Sequence, residues 1–178
     1  MLGTTREELG GSEYLHLIHR RKQGKPPRVN LQAERRLQQV LVEANRLGLL
    51  KSAHDCSEGG LAVALAECCV MEEEYLVGAT LEFGVRRSTF IVKTTNNEQR
   101  TMNIRMDTLL FGESAARVIV TCERFHQPHL EALARRRKVP SRALGRVGGR
   151  RFIINPWIDL PLEALDDAWR NSLARSLS

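Results

Sequence analysis

The run His54-Asp55-Cys56-Ser57-Glu58-Gly59-Gly60 leads without a break into Leu61-Ala62-Val63-Ala64-Leu65-Ala66-Glu67-Cys68-Cys69. Polar side chains and a glycine pair placed directly before an apolar, alanine-rich run predict a tight loop feeding the first turn of a buried helix. Leu61, Leu65 and Cys68 recur at i, i+4 and i+7 with Ala62, Ala66 and Cys69 beside them, so one broad face is apolar and small enough for close packing. Ser57 or Asp55 is expected to cap the free backbone N–H groups, while Gly59 and Gly60 let the chain turn and let a ligand approach the backbone. A phosphate there would gain from the N–H groups and the helix dipole together. A capped helix without a ligand uses the same groups, so this stretch alone leaves both readings open.

Composition narrows the class. A length of 178 residues with 42% hydrophobic content suits one globular domain, 1–178. No apolar run reaches membrane-spanning length and the N-terminus lacks a signal-peptide core, so a soluble, cytoplasmic protein with no membrane partner is expected. The 4 cysteines, Cys56, Cys68, Cys69 and Cys122, form no CxxC pair and no metal spacing with histidine. Reduced thiols, no metal site and no catalytic cysteine are expected. The net charge of +6 comes largely from Arg20-Arg21-Lys22, Arg35-Arg36, Arg135-Arg136-Arg137-Lys138 and Arg150-Arg151. These clusters are dispersed and lack interleaved aromatic residues, so solvated helix ends or a basic docking face are favoured over nucleic-acid binding.

Along the chain, Met1 to Tyr14 reads as an apolar pair followed by glycine-rich loop chemistry, as though a preceding strand had been cut. Gly24 to Pro27 is a connector. Asn30 is expected to cap a helix with Leu37, Val40, Leu41, Ala44 and Leu47 buried and Gly48 at its end. Leu76 to Phe83 alternates as a strand with Val77, Ala79, Leu81 and Phe83 on one face. Within Gly84 to Asp107, Phe90-Ile91-Val92 suggests a strand and Thr94 to Arg100 a polar loop in a mobile excursion. Arg117 to Glu123 carries apolar residues on both faces, as a central strand does. A helix from about Pro128 to Lys138 should place its basic cluster at the C-terminal turn. Ala143 to Val147 and Arg150 to Ile154 are expected to pair as a hairpin around Gly148-Gly149. Pro161 is expected to open a last helix burying Leu162, Leu165, Trp169 and Leu173. The fold class is therefore α+β, with mixed α/β layers.

Leu9-Gly10-Gly11-Ser12-Glu13-Tyr14, the His54-to-Leu61 loop with its helix, and Leu110-Phe111-Gly112-Glu113-Ser114 followed by Arg117-Val118 together resemble the C-terminal part of phosphoribosylformylglycinamidine synthase. Leu144-Gly145-Arg146-Val147-Gly148-Gly149 and Leu160-Pro161-Leu162-Glu163 to Trp169 resemble its ending. Ordered matches over nearly the whole chain are more specific than any one of them. The resemblance implies an AIR synthase C-terminal-like (B-type) domain, a mixed sheet flanked by helices, from the second half of an enzyme of purine biosynthesis.

That enzyme converts formylglycinamide ribonucleotide, ATP and glutamine-derived ammonia to formylglycinamidine ribonucleotide, ADP and phosphate. The implied ATP and Mg2+ are bound mainly by an ATP-binding A-type domain that is absent here. The implied partners are that domain, a glutaminase subunit or domain, and the phosphoribosyl substrate. No residue is expected to be catalytic in the isolated chain. The resemblance makes His54, Asp55, Ser57, Gly59, Gly60, Gly112, Glu113, Ser114 and Arg117 candidate substrate- or phosphate-binding residues. Two departures stand out: Ala115 occupies the place of the glutamine in the Gly-Glu-Ser-Gln segment of the family's first B copy, and 84–107 is longer than the family's usual passage, as a surface insertion would be. The alternative is a non-catalytic assembly module supporting a nucleotide-binding partner domain, with Arg117 a strand-end arginine paired with Glu113.

Overall fold

The computed structural model describes residues 1–83, 85–86, 89–93, 99–102 and 104–177, with 85–86, 89–93 and 99–102 described by their strand pairing. In chain order the elements are β1 (Leu2–Gly3), α1 (Glu13–His19), α2 (Leu31–Arg46), β2 (Ser52–Asp55), α3 (Gly60–Val70), β3 (Ala79–Glu82), β4 (Val85–Arg86), β5 (Thr89–Lys93) and β6 (Gln99–Met102). They continue with α4 (Met106–Phe111), β7 (Arg117–Thr121), α5 (Gln127–Arg136), β8 (Gly145–Val147), β9 (Arg151–Asn155), β10 (Ile158–Pro161) and α6 (Leu162–Leu177). Sheets and helices mix as the α+β reading expects. The chain divides into two compact units, Met1–Ala64 with Gly84–Ala143, and Leu65–Phe83 with Leu144–Ser178.

In the first unit β7 is the central strand of an antiparallel sheet ordered β1-β7-β2. His54 and Asp55, read from sequence as loop, are the end of β2, where His54 pairs with Ile119 and Asp55 with Val118. The amphipathic helices α2 and α5 supply Leu37, Val40, Ala44, Leu130, Leu133 and Ala134 to a buried cluster shared with Leu2 and Val118 of the sheet. Fully burying each such Leu or Val contributes about 1.5–3 kcal/mol. Asn30 caps α2, its Oδ1 accepting from the N–H groups of Gln32 and Ala33 at 3.1 and 3.0 Å. Leu47 departs from the expected buried stripe. It is the C-cap residue rather than a helical one, and it is 62% exposed. The basic cluster ending α5 meets a carboxylate of α2: Arg137 donates to Glu43 Oε2 at 2.9 Å and Arg136 to Glu43 Oε1.

The strand expected at Phe90-Ile91-Val92 is β5, the middle of an antiparallel β4-β5-β6 sheet. Gln99 and Arg100, expected in a polar loop, pair with β5 instead, because residues on both strands satisfy each other's backbone groups. Thr94 to Glu98, and with them the centre of the expected insertion 84–107, lie outside the described residues.

The second unit is a four-stranded sheet ordered β10-β9-β3-β8. The hairpin expected between Ala143–Val147 and Arg150–Ile154 does not form. β3 lies between those segments, antiparallel to β8 and parallel to β9. Gly148 and Gly149 exchange backbone hydrogen bonds with Gly78, at 2.7 and 3.0 Å, instead of closing a two-residue turn. Ala79 and Leu81 of β3 and Phe152 and Ile154 of β9 are buried. The hairpin in this unit is β9–β10, whose register sets Ile154 opposite Ile158.

Pro161 ends β10, and α6 starts one residue later. Of the stripe expected to be buried, Leu162 is buried, whereas Trp169 and Leu173 are 48% and 70% exposed. Arg170 donates to Asp166 at 2.7 Å and to the Val70 carbonyl at 3.1 Å, and residues 167 to 177 are exposed all round, so only the start of α6 has a face to bury. Among the described residues no helix is long and apolar enough to cross a membrane.

Candidate functional site

The glycine loop, the Gly-Glu-Ser segment and the Gly-Gly-Ser-Glu turn meet at one carboxylate. Glu113 Oε1 accepts from the N–H of Gly59 and from the N–H of Glu13, each at 2.9 Å. Gly59 directly precedes α3, and Glu13 is the first residue of α1. One side chain therefore supplies negative charge to the N-terminal ends of two helices, where backbone N–H groups lack helical partners. This corrects the expected cap: Ser57 and Asp55 do not take that place. Ser57 Oγ donates to Asp55 Oδ2 at 2.5 Å, and that hydroxyl holds the Asp55 carboxyl below its ordinary range. His54 Nδ1 donates to the Asp55 carbonyl at 2.6 Å.

Close backbone approach explains the second glycine of the pair. Gly60 has φ +73°, and a Cβ placed on it would stand 2.7 Å from the Gly112 carbonyl oxygen. The loop before α3 therefore rests directly on the backbone of the Phe111–Gly112 turn. Tyr14 of α1 stacks on Phe111 with ring centroids 4.7 Å apart and planes 5° apart, joining the third segment to the same place.

Arg117 lies beneath this junction, 2% exposed. Its Nε donates to the Ser114 carbonyl at 2.8 Å, Nη2 to the Gly112 carbonyl at 2.6 Å and Nη1 to Thr5 Oγ1 at 3.3 Å. Its hydrogen bonds thus run to main-chain carbonyls and a hydroxyl rather than to Glu113. Burial draws the guanidinium down from its ordinary range, while Cys56, Glu8 and Glu113 act in the opposite sense. Ser114 is fully buried, and its Oγ accepts from the Arg6 N–H at 3.1 Å. Cys56 is buried too, and desolvation pushes its thiol up, away from the thiolate form.

Gly59, Gly60, Gly112, Glu113, Ser114 and Arg117 are thus brought together. His54, Asp55 and Ser57 form their own hydrogen-bonded group on the preceding strand and loop. Sequence reasoning missed α1, although Ser12 before Glu13 is an N-cap signature. Ser12 Oγ accepts from the Leu15 N–H at 3.4 Å and donates to the Leu9 carbonyl at 2.7 Å. It also missed a small cleft beside Ala115 and Ala116, about 60 Å3, whose lining includes Arg6, Arg36 and Lys138 and no acidic residue. These cations come from separate parts of the chain, so no local motif announces the cleft. Among the described residues no group of three or more His, Cys, Asp or Glu side chains is placed to hold a metal ion.

The subunit PurL of phosphoribosylformylglycinamidine synthase from Anaeromyxobacter dehalogenans is 39% identical over 176 residues, covering 97% of this chain and 22% of that relative. The chain therefore spans about a fifth of the length of the curated relatives it matches. Phosphoribosylformylglycinamidine synthase II from Thermotoga maritima shares the fold, with a TM-score of 0.66 at 17% identity over 93% of this chain and 25% of that one. T. maritima PurL complexed with ATP gives 0.62 at 18% identity, over 93% and 24%. Structures of that protein with FGAR, and of the T. maritima PurLQS assembly, are similar as well. The family model described as AIR synthase related protein, C-terminal domain, matches residues 1–154, which hold every segment that meets at Glu113. The chain belongs to that family of AIR synthase-related C-terminal domains.

Proposed function

We propose that this chain is the C-terminal, B-type domain of a phosphoribosylformylglycinamidine synthase, and that it works in the cytoplasm with an ATP-binding A-type domain and a glutaminase subunit or domain. In that reaction the γ-phosphoryl group of ATP moves to the amide oxygen of formylglycinamide ribonucleotide. Ammonia then displaces phosphate, leaving the amidine and ADP. Such a sequence requires two phosphorylated ligands held in fixed orientation and developing charge neutralised. ATP and Mg2+ belong mainly to the partner domain, so the isolated domain is expected to be inactive.

The observation that carries this reading is the convergence on Glu113 Oε1, which joins the ends of α1 and α3 across 100 and 54 residues of sequence. Residue types that look unrelated along the chain become one rigid corner, with Arg117 fixing its backbone from below. Joined to an A-type domain, the chain should support glutamine- or ammonia-dependent ADP release. A properly folded combination that releases none would overturn the proposal.

A specific observation also favours the second reading, a non-catalytic assembly module. The Gly59 and Glu13 N–H groups already have the Glu113 carboxylate as acceptor, and Ala115 stands where the first B copy of the resembling family carries glutamine. Calorimetry with ADP and with formylglycinamide ribonucleotide separates the two, since an assembly module gives heat with neither ligand.

A further inference from the structure

Four stretches of the first unit wall the small cleft of about 60 Å3: the turn after β1, one face of α2, the turn before β7 and the turn after α5. The backbone around it is tightly held. Leu37 and Val139 line the cleft and belong to the buried cluster. The Gly3 N–H donates to the Pro140 carbonyl at 2.8 Å, and a Cβ on Gly3, whose φ is +96°, would stand 2.0 Å from the Ala116 carbonyl oxygen. The Arg6 N–H is held by Ser114 Oγ at 3.1 Å. Ala116 and Lys138 both take left-handed φ, 57° and 56°, which residues with a side chain adopt where their surroundings impose it.

The charged residues on this frame have one sign. Arg6, Arg36 and Lys138 line the cleft and no Asp or Glu does. Just before Lys138, Arg136 and Arg137 are neutralised by sharing Glu43. Among the described residues no ion pair joins Arg6, Arg36 or Lys138 to a carboxylate, and the Arg6 guanidinium donates to the Arg28 carbonyl at 3.4 Å. Like charges set around one small space with apolar walls repel, and an anion among them turns that repulsion into attraction.

We propose that the cleft binds a tetrahedral oxyanion of the size and charge of phosphate. Arg6 and Arg36 supply planar forks that pair with two oxygens at once, and Lys138 supplies a point charge. The volume admits such an ion and is too small for a nucleoside. The ion arrives free or as the phosphate end of a larger ligand whose remainder lies outside the cleft. The site stands apart from the ligase reading, because inorganic phosphate alone is the probe and no turnover is measured.

Inorganic phosphate titrated into the full chain should give saturable binding in calorimetry, weaker as salt rises. Arg36→Gln and Lys138→Asn should each weaken it about tenfold, since each removes a charge-assisted hydrogen-bond donor. Asparagine is chosen at 138 because it tolerates the left-handed backbone there. Arg150→Gln, which removes an exposed arginine of the other unit, should leave binding unchanged. Amide shifts of the wild-type chain on adding phosphate should centre on Ala115, Ala116 and Lys138, a readout that needs no variant to fold. Ribose 5-phosphate that displaces phosphate assigns the site to the phosphate end of a larger ligand, and failure to displace it assigns the site to the free ion. Absence of saturable binding overturns the proposal, as do shifts centred elsewhere. So does an equal loss in Arg150→Gln and the cleft variants, which marks diffuse attraction to a basic chain.

Discussion

Arg117 is a buried charged side chain, and Glu113 is tied to two backbone N–H groups. Removing the Arg117 side chain strands the carbonyls of Gly112 and Ser114 in a buried place, where an unmet acceptor costs about 1–3 kcal/mol. Arg117→Met, which keeps much of the volume, should therefore lower the free energy of unfolding by roughly 3 kcal/mol or more, read from urea titration. Arg117→Lys should recover only part, since an ammonium cannot reproduce the planar fork that reaches both carbonyls. At Glu113 the contrast is between loss of charge and loss of acceptor. Glu113→Gln keeps an oxygen for the Gly59 and Glu13 N–H groups, whereas Glu113→Ala leaves both without it. Faster hydrogen exchange at those two amides in the alanine variant than in the glutamine variant is the expected outcome, and equal rates would remove Glu113 from this role. Cys69 gives a pH test. Burial pushes its thiol from an ordinary 9.0 up to about 11, so between those values the unfolded chain has lost a proton that the folded chain keeps. The stability tied to this neutral thiol is complete below pH 9 and is lost as pH rises toward 11. The urea midpoint of Cys69→Ala should fall less steeply than that of the wild type across this window.

At the scale of elements, what could be read in advance was what periodicity and local chemistry encode. The capped helix α2, the helix α5 and the central strand β7 follow from apolar spacing within their own residues. The pairing of β8 and β9 does not, because Gly148-Gly149 is as good a hairpin turn as any until the partner strand β3 is known. The cap of α3 is hidden for the same reason: Asp55 and Ser57 lie just before the helix in sequence, while Glu113 is brought there by the fold. In α6 the stripe of Leu162, Leu165, Trp169 and Leu173 has the right period, yet a period cannot say how far along the helix there is something to pack on. Gly145 marks how tightly β8 is set, since a Cβ there would stand 2.0 Å from the Thr80 carbonyl oxygen. Gly145→Ala should force β8 away from β3 and cost about 1–3 kcal/mol, with the loss of amide protection concentrated at Thr80 and Arg146.

For the molecule as a whole, the chain's route matters more than any single contact. The polypeptide passes from one compact unit to the other at Ala64–Leu65, at Phe83–Gly84 and at Ala143–Leu144. The first of these passages falls inside α3, so Gly60–Ala64 and Leu65–Val70 are turns of one continuous helix assigned to different units. Helix formation is cooperative along its length, and melting half of α3 exposes backbone groups at the cut end of the other half. Unfolding of one unit is thereby coupled to the other through shared backbone. Both tryptophans, Trp157 and Trp169, belong to the second unit, so their fluorescence reports that unit, whereas far-ultraviolet dichroism reports helices of both. Leu133→Ala, a truncation in the core of the first unit, should cost about 2–5 kcal/mol. Coupling through α3 predicts that this change in the first unit moves the tryptophan transition and the dichroism transition together in urea. A tryptophan midpoint that stays in place while the dichroism midpoint falls would show instead that the two units unfold independently despite the helix they share.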